Sequence, residues 1–250
     1  MSEGARLDPR KAACLQAMGI VRYRLRSPGA EAPVASEPVP PAPAAEAAPA
    51  AEPAMPATHP AVAAMDWSDL EAAVADCRAC GLCEGRTQTV FGVGNREADL
   101  MIVGEAPGAE EDRQGIPFVG RAGMLLTNML RAIGLERDQV YIANILKCRP
   151  PGNRNPTVEE AAACAPFLNR QIELVQPRLL LAVGGVAAHN LLATDQSVGR
   201  LRGRLHQLPN GEVPVQVTYH PAYLLRRPEE KARAWADLQQ THRVLHGQSG

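Results

Sequence analysis

Four short apolar runs, each ended by a glycine or by polar residues, constrain the fold of this chain more than any other feature. The segments between them have the periodicity of amphipathic helices. Short, continuously apolar strands that alternate with helices are typical of a parallel sheet with helices on both faces. The sequence therefore predicts an α/β fold with three layers, α/β/α, around a central four-stranded parallel sheet. The predicted strands are 100–104, 140–145, 179–184 and 213–219, and the predicted helices begin at Trp67 and cover about 122–133, 158–175, 186–192 and 229–245.

The residues before this pattern differ from it in composition. Residues 28–64 consist mostly of Ala, Pro, Glu, Val and Ser and contain no Phe, Tyr or Trp. Such a segment cannot bury enough apolar surface to fold, so we expect a disordered, partly extended linker. The predicted organisation is a short interaction peptide at 1–27, the linker at 28–64 and one domain at 65–250.

Charge and hydropathy exclude some classes of protein. The formal net charge is −1, so the total charge gives no argument for nucleic acid. Residues 147–154 carry three positive and no negative side chains, which could contact phosphate, although a charge run is more often a solvated surface. No apolar run approaches the ~20 residues of a membrane span, and no signal peptide is evident. These patterns predict a cytoplasmic protein without membrane contact.

The ends of the predicted strands carry residues that could form a ligand site, because ligands of such folds bind beyond the carboxyl ends of the strands. Glu105 follows the first strand, Asn144 lies at the end of the second, and His220 follows the fourth. The Asn144 amide could pair with a base edge, and Phe118 could stack on the face of the base. The ordinary alternatives are an acidic solvated loop for Glu105, a turn former for Asn144 and a structural hydrogen-bonding histidine for His220.

The segment HPAYLLRRP, residues 220–228, also indicates contact with nucleic acid. It places Tyr223, Leu224 and Leu225 before two arginines, in what we predict to be an exposed loop. An apolar side chain can enter a base stack while arginines hold phosphates. The sequence therefore predicts an apolar wedge of Leu224 and Leu225 with Arg226 beside it.

Three closely spaced cysteines, Cys77, Cys80 and Cys83, indicate metal or redox chemistry, because cytoplasmic thiols stay reduced. Their spacing matches a ferredoxin cluster loop, but Thr87 stands where the fourth cysteine would be. Structural zinc sites usually join two CxxC knuckles, and this chain has one. Spacing alone favours four thiolates around an iron–sulfur cluster over zinc, and it leaves open which four of the six cysteines bind.

Five segments of the predicted domain are RTQTVFGVGN, MIVGEAPGAEED, GIPFVGRAGMLL, YIANILKCRPPGNRNP and HPAYLLRRP. In this order they resemble the family 4 uracil-DNA glycosylases, the iron–sulfur type, from about Cys77 to Trp235. Related glycosylases that bond covalently to uracil carry an inserted Lys-Arg-Arg-Ile-His loop after the second strand. This chain has CRPPGNRNP there, so that subgroup is set aside.

The resemblance implies an enzyme that flips uracil out of single- or double-stranded DNA and hydrolyses its N-glycosidic bond, leaving an abasic site for base excision repair. It implies that Phe118 stacks on the extruded uracil, that Asn144 reads its edge, and that His220 stabilises the uracil oxygen on which negative charge develops. The alternative is a noncatalytic iron–sulfur module of the same fold that binds DNA or the replisome.

The resemblance also implies residues near the sugar and a cofactor. Glu105, supported by Glu111 and Asn153, would lie near the sugar. Ala106 stands where other glycosylase families carry a water-activating Asp or Asn, which leaves the general base open, with Glu105 as the candidate. The implied ligands of a structural [4Fe-4S] cluster are Cys77, Cys80, Cys148 and Cys164, with Cys83 as a neighbour.

Residues 1–27 lie outside this resemblance. Their segments LQAMGI and RLRSP are similar to the N-terminal peptide of the psi subunit of the bacterial clamp loader. Such a peptide would tether a repair enzyme to the replication machinery and raise its concentration there. We therefore expect a monomeric, nucleoid-associated bacterial enzyme that contacts the clamp loader through residues 1–27; a merely solubilising extension is the alternative.

Overall fold

The structure, a computed structural model, describes residues 60–209, 211 and 213–247. The predicted peptide at 1–27 and the predicted linker up to residue 59 lie outside the described residues. The prediction that the linker extends to Ala64 is wrong at its end. Pro60–Ala63 forms a helical turn, α1, and Val62 is buried in an apolar cluster. A proline suits the first position of a helix, and burial of Val62 joins this turn to the domain.

Within the described residues the sheet has six strands. The four central strands are parallel, as predicted, and the two short edge strands are antiparallel to their neighbours. The edge strands were not predicted, because two or three residues are too few to show a strand pattern. The strands are β1 (Val93–Gly94), β2 (Leu100–Gly104), β3 (Tyr141–Asn144), β4 (Leu179–Val183), β5 (Leu205–Gln207) and β6 (Pro214–Thr218), and their order across the sheet is β1-β3-β2-β4-β6-β5.

Helices cover both faces of the sheet, so the predicted three-layer α/β/α fold is confirmed. The longer helices are close to the predicted positions, whereas four of the described helices, α1 and three others of four to six residues, were not predicted. The α-helices after α1 are α2 (Trp67–Ala75), α3 (Ala109–Gln114), α4 (Arg121–Arg131), α5 (Val158–Val175), α6 (Gly185–Leu192), α7 (Val198–Leu201), α8 (Pro221–Arg226) and α9 (Lys231–Leu245). Among the described helices, none is both long and apolar enough to cross a membrane.

Alternation along the buried strands assigns their side chains to two apolar layers. In β2, Met101 and Val103 pack in the layer that contains α5 and α6, while Leu100 and Ile102 pack in the layer that contains α4 and α9. The chain passes from β2 to β3 on one side and then to β4 on the other side of β2. The strand order therefore reverses at β2, and the carboxyl end of β2 is where a ligand crevice is expected.

Candidate active site and thiol pocket

The carboxyl ends of the four parallel strands bring four residues together. Gly104 ends β2 and is the register partner of Asn144 at the end of β3. Gly184 directly follows β4 with a φ of 103°, and a Cβ placed there would lie 3.0 Å from His220 Cβ. The backbone after β4 therefore lies directly against His220, which follows β6.

The Asn144 side chain points into the space at the end of β2. Asn144 is buried, and its Oδ1 has no hydrogen-bond partner in the described part of the chain. A Cβ on Gly104 would overlap this oxygen and lie 2.6 Å from Phe118 Cζ. A buried acceptor without a partner is costly, so such atoms are rare outside functional sites. The Asn144 oxygen is therefore placed to accept a hydrogen bond from a ligand beside the Phe118 ring.

Phe118 has a backbone conformation that few residues other than glycine adopt. Its φ is 55°, and its ring lies 5.7 Å from the His220 ring, with 32° between the planes. A Cβ on Gly123 would overlap the Phe118 carbonyl, so the first turn of α4 packs directly against this backbone. Strained conformations of this kind persist where the surrounding structure enforces them, most often at functional sites.

The hydrogen bonding of His220 fixes which ring nitrogen carries the proton. Its Nδ1 accepts a hydrogen bond from the backbone amide of Ala222 at 3.1 Å. Burial and the charge of Arg226 together lower the pKa of His220 to about 4, although Glu111 opposes the shift. At neutral pH the ring is therefore uncharged, with its proton on Nε2, where it can be donated to a ligand.

The two predicted carboxylates of this site have different surroundings. Glu105 follows β2 and is half-buried, and burial raises the pKa of its carboxyl group. The Glu111 carboxylate accepts hydrogen bonds from the backbone amides of Gly108, Val119 and Gly120 at 3.1, 3.0 and 3.2 Å. Glu111 thus holds two loops together by its observed contacts, while Glu105 has the carboxylate with a raised proton affinity.

Two other residues predicted for the site lie at its margins. Ala106 is half-buried and packs against the apolar cluster around the cysteines. Asn153 is exposed in a turn with a φ of 55°, and its Oδ1 accepts a hydrogen bond from Arg149 Nε at 2.8 Å. The structure therefore places Asn153 in a surface loop with Arg149 as its partner.

The predicted wedge differs from the observed structure. The segment forms the helix α8, not a loop, and Leu224 is only 1% exposed because one helical turn directs it towards α4. The prediction that Leu224 is exposed is therefore wrong. Leu225 is 38% exposed and Arg226 is exposed, while Tyr223 is half-buried with its ring stacked 5.1 Å from that of Tyr219.

A second feature is a pocket lined by five cysteines, which we call the thiol pocket. It has a volume of about 350 Å³, including the solvent space at its mouth, and lies between α2, the loop after β3, and α5. The fold thus brings together cysteines that are far apart in the sequence. Among the described residues, no three His, Cys, Asp or Glu side chains are grouped as a single metal ion would require. The pocket is lined by Cys77, Cys80, Cys83, Cys148 and Cys164, with Arg86 and Lys147 among the other residues.

Hydrogen-bond donors point at two of these sulfurs. Arg86 Nη1 donates to Cys148 Sγ at 3.1 Å, and the backbone amide of Lys147 donates to Cys164 Sγ at 3.3 Å. Burial raises the pKa of the Cys148 thiol and raises that of Cys164 to about 11. Donors to sulfur favour the thiolate, so these contacts suit thiolates that bind a cationic group. Sequence reasoning missed Arg86 because nothing in its spacing marks it.

The side chain of Lys147 connects the thiol pocket with the strand end that carries Asn144. It is fully buried, and its Nζ donates to the Asn144 carbonyl at 3.0 Å and to Gln171 Oε1 at 2.6 Å. Burial lowers the pKa of Lys147 to about 8. Its position one residue before Cys148 was visible in the sequence, but its inward direction was not.

Comparisons with known proteins agree with this arrangement. Residues 91–239 match the family model of the uracil DNA glycosylase superfamily, which gives the class of the protein. The type-4 uracil-DNA glycosylase of Archaeoglobus fulgidus is 43% identical over 176 residues, which cover 68% of this chain and 88% of that protein. That of Thermotoga maritima is 46% identical over 161 residues, covering 64% and 83%. A type-5 uracil-DNA glycosylase of Thermus thermophilus is 32% identical over 160 residues, covering 50% and 73%. The chain belongs to the type-4 uracil-DNA glycosylases.

Proposed function

We propose that this protein removes uracil from DNA by hydrolysing the N-glycosidic bond, leaving an abasic site for base excision repair. The observation that carries the proposal is the buried Asn144 Oδ1, which has no hydrogen-bond partner among the described residues and lies beside the Phe118 ring. Uracil presents an N–H at ring position 3, whereas cytosine presents a lone pair there. An acceptor fixed at this edge therefore favours uracil, because cytosine would leave it unpaired.

In the proposed reaction, His220 stabilises the leaving base. The bonding electrons of the N-glycosidic bond pass to uracil, so negative charge develops on a carbonyl oxygen of the base. His220 Nε2–H, held in position by the bond from the Ala222 amide to Nδ1, donates a hydrogen bond to that oxygen. Since the ring is neutral, this step stabilises charge without transferring a proton.

Glu105 is the proposed general base. A water molecule adds to the sugar carbon that loses the base, and the Glu105 carboxylate accepts its proton. A carboxyl whose pKa is raised by burial accepts a proton more readily than an exposed one. The same negative charge stabilises the cationic sugar of the transition state.

The exposed end of α8 is the proposed contact with DNA. Leu225 is exposed beside Arg226, and both lie within six residues of His220. We propose that Leu225 fills the gap left by the extruded base while Arg226 contacts a phosphate. Tyr223, which is half-buried, supports this surface from below, and Leu224 remains in the core.

We propose that Cys77, Cys80, Cys148 and Cys164 hold a [4Fe-4S] cluster. Support comes from the convergence of these thiols in one pocket and from the donors directed at two of their sulfurs. When bound, the cluster would supply a cross-link between α2 and the loop after β3. Anaerobically purified protein should be brown and absorb at about 400 nm. Active protein that is colourless and contains zinc would contradict this assignment.

We also propose that residues 1–27 bind the bacterial clamp loader and that the residues up to 59 are a linker. The support is the short sequence similarity to the psi subunit. A labelled peptide of residues 1–27 should bind purified clamp loader in a fluorescence anisotropy titration, and a scrambled peptide should not. Equal binding of the two peptides would remove the proposal. The proposed enzyme is a monomer in the bacterial cytoplasm.

One assay tests the proposed activity. The protein is incubated with single-stranded and duplex oligonucleotides that contain one uracil, and alkali then reveals abasic sites. We expect alkali-labile product from the native protein, loss of most product with Asn144→Ala, and normal product with Asn128→Ala, which changes an exposed amide on α4. Strand cleavage without alkali would contradict a reaction that stops at the abasic site, and absence of product would indicate the noncatalytic alternative.

A further inference from the structure

The loop that carries Phe118 is held from two sides by oppositely charged side chains. On one side, Arg137 Nη2 donates to the Pro117 carbonyl at 2.9 Å, and Nη1 donates to the Phe118 carbonyl at 3.3 Å. On the other side, the Glu111 carboxylate accepts the amides of Val119 and Gly120. Two successive carbonyls and the next two amides are therefore bound to charged groups.

Arg137 lies outside the sequence segments that form the site. It is the first residue of a one-turn 3-10 helix, Arg137–Gln139, that precedes β3, and it is partly buried. Its Nη1 also lies 3.4 Å from Thr127 Oγ1 on α4. Both terminal nitrogens of the guanidinium thus face the loop and α4. In this orientation they donate to the loop, and few N–H donors remain for a DNA phosphate.

We propose that Arg137 is a positioning residue for uracil, acting through Phe118, and that Glu111 completes the clamp on the opposite side. This inference rests on the proposed stacking of uracil on Phe118. The clamp enforces the left-handed φ of Phe118, which in turn directs the ring over Gly104 and next to His220. The stacking surface is therefore already in place before the base enters.

The expected effect of loosening the clamp follows from the entropy of ordering the loop. A loop that is disordered in the free protein must be fixed when uracil binds, and fixing the backbone of one residue costs roughly a factor of ten in affinity. This cost is the same in the ground state and in the transition state. It therefore raises KM and leaves kcat nearly unchanged.

The test compares Arg137→Met and Arg137→Lys with a matched control, Arg131→Met. Arg131 is exposed at the end of α4 and pairs with Glu136. For each variant, KM and kcat are measured on a uracil-containing duplex. The inhibition constant of free uracil, the reaction product, is measured in the same assay. We expect Arg137→Met to raise KM and the inhibition constant about 10-fold or more, with kcat within threefold. Arg137→Lys should recover part of the loss because a lysine can still donate to one carbonyl.

A purely structural role of Arg137 predicts a different pattern. It would lower the melting temperature and the fraction of active protein, which reduces apparent kcat while KM stays at the native value. That result, or equal behaviour of Arg137→Met and Arg131→Met, would overturn the inference. Should Arg137→Met fail to fold, Arg137→Lys and Glu111→Gln test whether KM changes while kcat does not. An unchanged inhibition constant of uracil in both variants would refute the inference. Inactivity of the native protein would instead refute the proposed function.

Discussion

Replacement of His220 by alanine tests how the proposed reaction stabilises the leaving uracil. The hydrogen bond from the Ala222 amide fixes Nδ1 as acceptor, so the native ring presents one preorganised donor, Nε2–H. Loss of a single fixed donor to a developing negative charge lowers kcat by about 10² to 10³. We expect His220→Ala to fall within this range, with a smaller effect on KM because the hydrogen bond strengthens only as charge develops.

The assay is single-turnover excision from a duplex with one uracil. His246→Ala is the control, because His246 is exposed at the end of α9. Circular dichroism checks that both variants are folded. Excision by His220→Ala at more than about a tenth of the native rate would refute the assigned role, since one preorganised donor contributes more than that.

The low pKa of His220 predicts that the stability of the protein depends on pH. Its folded pKa is about 4 and its unfolded pKa is near 6.5, so the unfolded state binds the proton first as the pH falls. This contribution to the free energy of unfolding is complete above pH 6.5 and decreases by about 3 kcal/mol as the pH falls to 4. In urea titrations, the free energy of unfolding should decrease less at acid pH for His220→Ala than for the native protein. A change in the excision rate of the native protein with a pKa near 6.5, absent in His220→Ala, would contradict the inference that the ring is neutral.

Three further predictions concern the strand end, the thiol pocket and the core. Gly104→Ala should reduce excision about 100-fold without unfolding, because its Cβ would displace the Asn144 oxygen and the adjacent ring; a native rate would contradict this geometry. Cys80→Ala should lose iron, measured by a colorimetric assay, whereas Cys83→Ala should retain it. Asp237→Ala should lower the free energy of unfolding by about 3 kcal/mol in urea titrations, because Asp237 is fully buried and its loss leaves a largely buried arginine unpaired.

The main sheet could be predicted from the sequence because its strands are buried on both faces. Runs such as 100–104 and 179–183 are continuously apolar and end abruptly, and their boundaries agree with prediction to within a residue. The six-residue helix α8 could not be predicted in the same way. One and a half turns show no helical periodicity, so nothing local distinguished the buried Leu224 from the exposed Leu225.

The residues that support the site were harder to predict than the residues that form it. Asn144 lies at the end of a predicted strand and His220 follows another, so a rule about strand ends was enough to suggest them. Arg137 and Arg86 act through hydrogen bonds to a loop and to a sulfur 62 residues away in sequence, respectively. Such contacts depend on side-chain direction across the fold, for which spacing and composition carry no signal.

The glycines that end the apolar runs have a second role that the strand pattern did not reveal. Asn144 ends β3 and His220 lies two residues after β6. With β2 and β4 between them, these two strands are three spacings apart, or roughly 14 Å. Gly104 ends β2 and Gly184 directly follows β4, and a Cβ at either position would meet the Asn144 oxygen or the His220 side chain, respectively. Removal of side chains at the two central positions lets the two outer side chains face each other across a space that Phe118 closes on one side. A glycine that the sequence presents as the end of a strand is therefore also what leaves room for the base.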